Sequence, residues 1–555
     1  MQMTGAQILI QSLLDQGVEV VFGYPGGAVL NIYDAMYERQ DDLLHIVTSH
    51  EQGAAHAADG YARSTGKTGV VLATSGPGAT NLVTGIATAY HDSVPLVAIT
   101  GNVSTGLIGR DSFQEVDIVG ITNPITKHNY IVKDVEDLAG IVREAFVIAN
   151  SGRKGPVLID IPKDVTAQKT EYQKQSLFEP RKDPEPTEKD YQTALDAIQQ
   201  AKRPLIYAGG GVVFSDASKQ LVSFAHKIGA PVCVSMMGIT SMSYDDPLYL
   251  GMIGMHGTVT ANIAARDCDL LIAVGSRFSD RVAGNREKFA ANANILHIDI
   301  DPCEISKNIC AGLSLLGNAR EVLSELTARA EQRDNTQWIH NLLEHKAYHA
   351  LPAAVNEEEL TPRDILSKLR SCAGDDAIVV TDVGQHQMLT AQCYPFTLPR
   401  TFISSCGLGT MGYGLGAAIG AKVGNPNKPV VLITGDGSFH MNLNELAVAV
   451  SQNLPVVILV MNNGVLGMVH QWQKLFYNQR YAYTEINRAT DFVKLAESFG
   501  AVGFRLTQPQ DIDQTLSKAF AMGRPCVVDC IIDRKERVYP IIPPGGTEAD
   551  MIYSD

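Results

Sequence analysis

Residues 430–463 read VVLITGDGSFHMNLNELAVAVSQNLPVVILVMNN, and their order decides the fold. The apolar, β-branched run from Val430 to Thr434 has the composition of a buried strand. It ends in a carboxylate flanked by glycines, Gly435-Asp436-Gly437. A helical pattern follows, with Leu443, Leu446, Ala447 and Val450 predicted on one apolar face. A second apolar strand, Pro455 to Met461, then delivers Asn462 and Asn463. In a parallel pair both C-terminal strand ends lie on one edge of the sheet. Asp436 and Asn463 are therefore expected to face one cation. Mg2+ takes hard oxygen ligands, few of them from protein, and shares the rest with phosphate and water. One carboxylate and one amide oxygen leave room for a diphosphate. The glycines let backbone N–H groups approach it, and the helix N-terminus that follows favours negative charge.

The alternation of strand and helix patterns extends in both directions. Val18 to Phe22, Gly69 to Ala73, Pro95 to Thr100 and Pro156 to Ile161 are predicted parallel strands of a first domain, residues 1–170. Residues 171–190 are polar and proline-bearing, as in a linker. A central domain, 191–335, begins with PLIYAGGGVV (204–213) and continues through DLLIAVGSRF (269–278) and ILHIDID (295–301). A second linker is predicted over 336–365. The last domain, 366–535, has strands at AIVVTDVG, FISSCG, VVLITGDG, VVILVMNN and CVVDCII. Residues 536–555, rich in Pro and Gly, read as a tail laid over the active site. The fold class is α/β, with three doubly wound parallel-sheet domains.

Composition bounds the function. The chain has 555 residues, 45% hydrophobic and 19% charged, as in ordinary globular proteins. Its net charge of −15 and lack of a basic block argue against nucleic acid or anionic membrane as partners. No apolar run approaches the roughly 18 residues of a transmembrane helix, and the N-terminus lacks the pattern of a signal peptide. Nine scattered cysteines without paired-ligand spacing predict free thiols in a reducing, cytoplasmic setting. Two motifs are decoys. GLGTMGYG (407–414) contains GxGxxG, but the next strand ends in the GDG loop rather than an acidic ribose clamp. GYARSTGKT (60–68) has one residue too many between Gly60 and Gly66 for a phosphate-binding loop.

Further motifs are individually plain. Glu51 in SHEQGAAHAADGYAR is an acid in the first turn of a helix. GYPGGAVL (23–30) and TSGPGATN (74–81) are glycine-bearing strand-to-helix loops. RDSFQEVD (110–117), DIPKDV (160–165), GSRFSDR (275–281) and HIDID (297–301) supply polar loop residues. In GVLGMVHQWQ (464–473), Met468 and Trp472 stand four apart on one helical face. Together with the GDG…NN spacing, these stretches resemble the thiamine diphosphate-dependent enzymes over nearly the whole chain. The resemblance is closest to the acetohydroxyacid (acetolactate) synthase large subunits.

The resemblance implies three cofactors, thiamine diphosphate, Mg2+ and FAD. Glu51 is expected to hydrogen-bond N1′ of the aminopyrimidine, so that the cofactor supplies its own base. Gln114 would lie near the reactive centre, Phe113 would wall the pocket, and Lys163 would position substrate and loops. Further cofactor contacts are expected at Gly26, Gly27, Pro77, Asn81, Gln385, His386, Met411, Gly435, Gly437 and Ser438, with Met411 propping the thiazolium. Asp436, Asn463 and Val465 would hold the metal. Arg153, Met255, His256, Gly257, Arg277, Asp299 and Asn318 would line the flavin, an Arg suiting the diphosphate and a strand-end carboxylate the ribose. Ser279 and Asn318 depart from the RFDDR and GD segments common in the family. Arg281 is expected to capture the carboxylate of the second 2-ketoacid, and Met468 and Trp472 to shape the acceptor pocket. A Trp at 472 is a mark of biosynthetic members.

The implied activity is decarboxylation of pyruvate and transfer of its two-carbon unit to pyruvate or 2-ketobutyrate, the first common step of branched-chain amino acid biosynthesis. Alternatives are a catabolic, flavin-free acetolactate synthase, a pyruvate oxidase-like enzyme, or a non-catalytic binding subunit on the same fold. The resemblance further implies a homodimer or dimer of dimers, with Glu51 of one chain opposite the GDG loop of another, and allows a separate regulatory small subunit.

Overall fold

A computed structural model describes residues 1–349, 359–486 and 488–554. Three six-stranded sheets organise it, each parallel throughout. In the first, strands Leu44–Val47, Val20–Gly23, Gly69–Ala73, Leu96–Asn102, Pro156–Pro162 and His128–Ile131 lie side by side in that order. In the last, the order is Phe402–Ser404, Ile378–Thr381, Val430–Gly435, Val456–Asn462, Cys526–Ile531 and Val502–Leu506. Numbered along the chain, both sheets run 2-1-3-4-6-5, so the two outer domains share one topology without sharing a sequence repeat. The middle sheet, Tyr249–Met252, Val232–Val234, Pro204–Ala208, Leu270–Val274, Asn294–Asp299 and Leu313–Leu316, runs 3-2-1-4-5-6, the dinucleotide-binding order. Central strands such as Leu96–Asn102 and Val456–Asn462 are buried on both faces, which is why they read as unbroken apolar runs.

The outer domains meet through helices Glu51–Thr65 and Gly414–Gly424. Both are built from Ala and Gly because their backbones nearly touch. A Cβ on Gly60 would lie 2.2 Å from the Ala417 carbonyl oxygen, and one on Gly420 would lie 1.8 Å from that of Ala57. The GYARSTGKT stretch belongs to the end of the first of these helices, stopped by Gly66 at φ 80°. All nine cysteines are free, and no helix among the described residues is long and apolar enough to cross a membrane.

Two expectations are corrected. Of the predicted 336–365 linker, residues 350–358 lie outside the described residues, but Thr336–Tyr348 is a helix docked on the central domain. Its polar sequence hides an i,i+4 apolar pair, Trp338 and Leu342, buried in that domain's core, and the Trp338 indole N–H donates to the Pro204 carbonyl at 3.0 Å. The predicted face after the GDG loop is also wrong. A 3-10 turn at Leu443–Glu445 breaks the helix into Asp436–Asn442 and Leu446–Ser451. The changed register exposes Ala447 and turns Glu445 inward. There the Glu445 carboxylate accepts from the Ser49 N–H at 3.1 Å, beside the start of the Glu51 helix.

Candidate active site

The last sheet switches direction between strands Ile378–Thr381 and Val430–Gly435, and such a switch point opens a crevice at the C-terminal strand ends. The loops leaving these strands, together with the end of Val456–Asn462, line a cavity of about 1550 Å³. Gly435, Asp436, Gly437, Ser438, Asn463 and Val465 all reach it, so the expected metal set is brought together. Burial pushes the Asp436 carboxyl up to about 6, although it accepts backbone N–H bonds from Gly437 and Gly464. A desolvated carboxylate beside an amide oxygen is a fitting seat for a hard cation. The Asn463 side-chain oxygen also accepts from the Val465 N–H at 3.1 Å, which fixes its rotamer. Asn462 turns away and donates to Asp529 at 2.8 Å.

Gln385 and His386, after Gly384, line the cavity beside this group: a Cβ on Gly435 would lie 3.1 Å from His386 Nδ1, and one on Gly467 2.0 Å from Gln385 Oε1. Gln385 Oε1 and His386 Nε2 are buried and lack a hydrogen-bond partner, as expected of groups built for a ligand. Burial holds His386 at about 3, so its imidazole is neutral. Met411 projects from the Gly407–Gly412 loop into the same space. Helix Gly467–Phe476 contributes Met468 and Trp472. The Arg281 guanidinium, from the central domain, rests 5.8 Å from the Trp472 ring centroid. Its Nη1 lies 3.9 Å from Met255 Sδ. The tail closes behind this helix: Val538 and Ile541 are fully buried, the Gln471 amide bridges Val538 to Gln385, and the Ile542 N–H donates to the Met255 carbonyl.

The cavity continues without interruption into the switch point of the central sheet, past Met255, His256, Arg277, Asp299, Asn318 and Arg153. Gly257 does not line it; a Cβ there would lie 2.5 Å from the Met252 carbonyl oxygen, so this glycine serves the turn. His256 Nδ1 is buried without a partner, and burial followed by the Arg281 charge lowers its pKa to about 4. Burial raises Asp299 to about 6. Arg153 crosses from the first domain to bond Glu304 Oε1 at 2.9 Å. Asn318 caps helix Ala319–Arg329 and donates to Asp183 at 2.9 Å. Ser279 also lines this space. Glu304, overlooked in the motif reading, is buried with Oε2 unpartnered and stands on the cavity wall. Its signal was a third acid, after Asp299 and Asp301, at the end of strand Asn294–Asp299. At about 1550 Å³ the space exceeds the usual ~300–1,000 Å³ of a single-ligand pocket.

The remaining expected residues are not on this wall. Glu51 heads its helix, buried, and accepts from the Asn81 side-chain amide at 2.9 Å. Gly78 packs beneath its carboxylate, and Pro77 is exposed beside it. Gln114, at φ 58°, lies against Gly76, while Phe113 is 88% exposed. Gly26 abuts Thr74, and Gly27 has open space around it. Lys163 is exposed at the start of helix Lys163–Ala167. All of them belong to the first domain, where Pro77, Gly27, Phe113 and Lys163 are exposed and Glu51 is buried.

Comparison with known proteins agrees with this architecture. The chain matches the N-terminal TPP binding domain of thiamine pyrophosphate enzymes over residues 3–121, their central domain over 191–326, and their C-terminal TPP binding domain over 382–530. It is 44% identical to an acetolactate synthase large subunit of Haemophilus influenzae, over 100% of this chain and 98% of the relative. It is 45% identical to a probable acetolactate synthase large subunit of Methanocaldococcus jannaschii, over 99% and 95%. An acetolactate synthase large subunit of Parasynechococcus marenigrum is 46% identical, over 99% and 91%. The chain belongs to the thiamine pyrophosphate enzymes, and within them to the family of acetolactate synthase large subunits.

Proposed function

We propose that the chain is the catalytic subunit of a biosynthetic acetohydroxyacid synthase, which decarboxylates pyruvate and joins the two-carbon unit to pyruvate or 2-ketobutyrate. The observation that carries the proposal is the Arg281–Trp472 pair on the cavity that ends at Asp436 and Asn463. Bound thiamine diphosphate supplies an electron sink for the loss of CO2. Asp436, Asn463 and Val465 would hold Mg2+. Gln385, His386, Gly435, Gly437 and Ser438 would hold the diphosphate of the cofactor, and Met411 would support its thiazolium ring. Arg281 binds the carboxylate of the acceptor, while Met468 and Trp472 bound the pocket for its alkyl group. Arg153, Met255, His256, Arg277, Asp299 and Asn318 would hold FAD. The reaction transfers no net electrons, so flavin acts there as part of the scaffold.

Glu51, Gln114 and Lys163 act from a neighbouring chain. Their position on the first domain, away from the residues that line the cavity and beside exposed Pro77 and Gly27, supports a homodimer as the smallest active unit, in which Glu51 of one chain serves the cavity of the other. The name of the relatives supports a separate small subunit, and the reaction belongs in the cytoplasm. The test is product analysis of the purified chain with pyruvate, thiamine diphosphate and Mg2+, with and without FAD and 2-ketobutyrate. Preferential formation of acetohydroxybutyrate supports the proposal. Acetolactate alone without FAD dependence would shift it to a catabolic enzyme, and peroxide or acetyl phosphate to an oxidase. Full turnover by Glu51→Gln would refute the role of Glu51.

A further inference from the structure

The loop Ser404–Tyr413 carries Met411 into the cavity, and its own domain holds its two ends: Gln387 donates to Ser404 Oγ at 2.7 Å, Asn442 donates to the Gly412 carbonyl at 2.6 Å, and Asp382 accepts from the Gly412 and Tyr413 N–H groups. Leu408 and Gly409 are exposed, and Gly409 and Gly412 sit at φ 72° and 84°. Between those ends the loop is gripped from the first domain by a cluster of three buried charged residues. Asp92, at the end of helix Val83–His91, accepts from the Cys406 N–H at 2.9 Å with Oδ2 and from the Gly407 N–H at 2.8 Å with Oδ1. Asp92 Oδ2 also accepts from Arg63 Nη2 at 2.9 Å. Arg63 donates further to the Ser404 carbonyl at 3.0 Å, and its Nε to Asp59 Oδ1 at 2.6 Å. The Tyr413 hydroxyl donates to the same Asp59 oxygen at 2.5 Å, which closes the far end of the loop. The side chains of Asp59 and Asp92 are fully buried, and that of Arg63 is 6% exposed.

We infer that Asp92, with Arg63 as its counter-charge, is a positioning residue that sets the loop carrying Met411 and thereby the affinity for thiamine diphosphate. Among the charged residues of the cluster, Asp92 is the one that binds the loop's backbone N–H groups, through both carboxylate oxygens. Neutral donors bound by a fully buried carboxylate make strong, short, directional bonds. An amide in its place offers one acceptor oxygen and turns an N–H toward the second donor, which loses its acceptor and meets a like dipole. Gly407 is fitted to this contact, because a Cβ there would lie 2.7 Å from Asp92 Oδ1. The Thr88 and Thr410 hydroxyls, 2.9 Å apart, add a second tie from the same domain. Asp59 is equally buried and bonded to the same guanidinium, but it touches only the side chain of Tyr413. The inference rests on the thiamine pyrophosphate reading of the site.

Asp92→Asn and Asp59→Asn separate positioning from structural support. Thiamine diphosphate with Mg2+ is titrated into the wild-type and variant chains and followed by Trp472 fluorescence, with melting temperature measured in parallel. The expected result is a tenfold or greater rise in cofactor Kd for Asp92→Asn, with a lower kcat and an unchanged KM for pyruvate. Asp59→Asn is expected to lose comparable thermal stability with a Kd within about threefold of wild type. Gly407→Ala displaces the loop without altering a charge. It is expected to weaken cofactor binding likewise, and it keeps the test open if Asp92→Asn does not fold. Equal Kd changes in the two aspartate variants, or an unchanged Kd in Gly407→Ala, would overturn the inference. Failure of the wild-type chain to bind thiamine diphosphate would instead refute the reading of the site.

Discussion

Gly420→Ala tests whether the contact of helices Glu51–Thr65 and Gly414–Gly424 is as close as the structure has it. The new Cβ would stand 1.8 Å from the Ala57 carbonyl oxygen, where carbon and oxygen settle at about 3.3 Å. The helices must part by roughly 1.5 Å, since the obstacle is backbone and cannot change rotamer. Parting also strips contacts along Ala54, Ala57, Ala58 and Ala417, all completely buried. Overpacking costs about 1–3 kcal/mol, and the rigid obstacle puts this case near the top of that range. A chain with three sheets need not unfold in one step, so a global melt is a poor measure. Amide hydrogen exchange within Glu51–Thr65 reads the local opening free energy directly. About 3 kcal/mol corresponds to exchange on the order of a hundredfold faster. Protection in Gly420→Ala within threefold of wild type would refute the packing argument.

Gly140→Ala is the matching control: it lies on the exposed face of helix Leu138–Asn150 with nothing within 4 Å of a Cβ, and it should stabilise that helix by about 1 kcal/mol in the same exchange assay. Burial pushes the Glu445 carboxyl up to about 7, against an ordinary glutamate value of about 4.3. Its ionisation therefore removes stability as pH rises from about 4 to 7, so Glu445→Gln should equal wild type near pH 4 and exceed it by about 1–3 kcal/mol at pH 8; a difference independent of pH would count against this. Replacing Arg281 by Gln removes a charge-assisted bond of about 1.5–3 kcal/mol, which predicts a 10- to 100-fold higher KM for the acceptor ketoacid while CO2 release from pyruvate is spared. Parallel assays of CO2 and of acetohydroxyacid distinguish that outcome from a general loss of activity.

What the sequence by itself determined is local. Strand–loop–helix order, glycine-flanked Asp436 and the Asn462-Asn463 pair are consecutive signals, and strand burial was legible because parallel strands covered on both faces carry unbroken apolar runs. Helical spacing put Met468 and Trp472 on one face, while their place on the acceptor pocket came from the family resemblance. Tertiary structure decided whatever depends on a partner far along the chain. Glu445 reads as a polar break in a helix until Ser49, 396 residues away, is placed against it. Asp92 reads as the end of a helix until the loop at Cys406 and Gly407 is folded over it. The polar helix Thr336–Tyr348 is recognised only once Trp338 meets the central sheet. Continuity of the cavity between two domains, and the separation of Glu51 from it, have no local signature at all. The physical reason is that periodicity reports which face of an element avoids water, while the burial of a charge is decided by the donors that arrive from elsewhere.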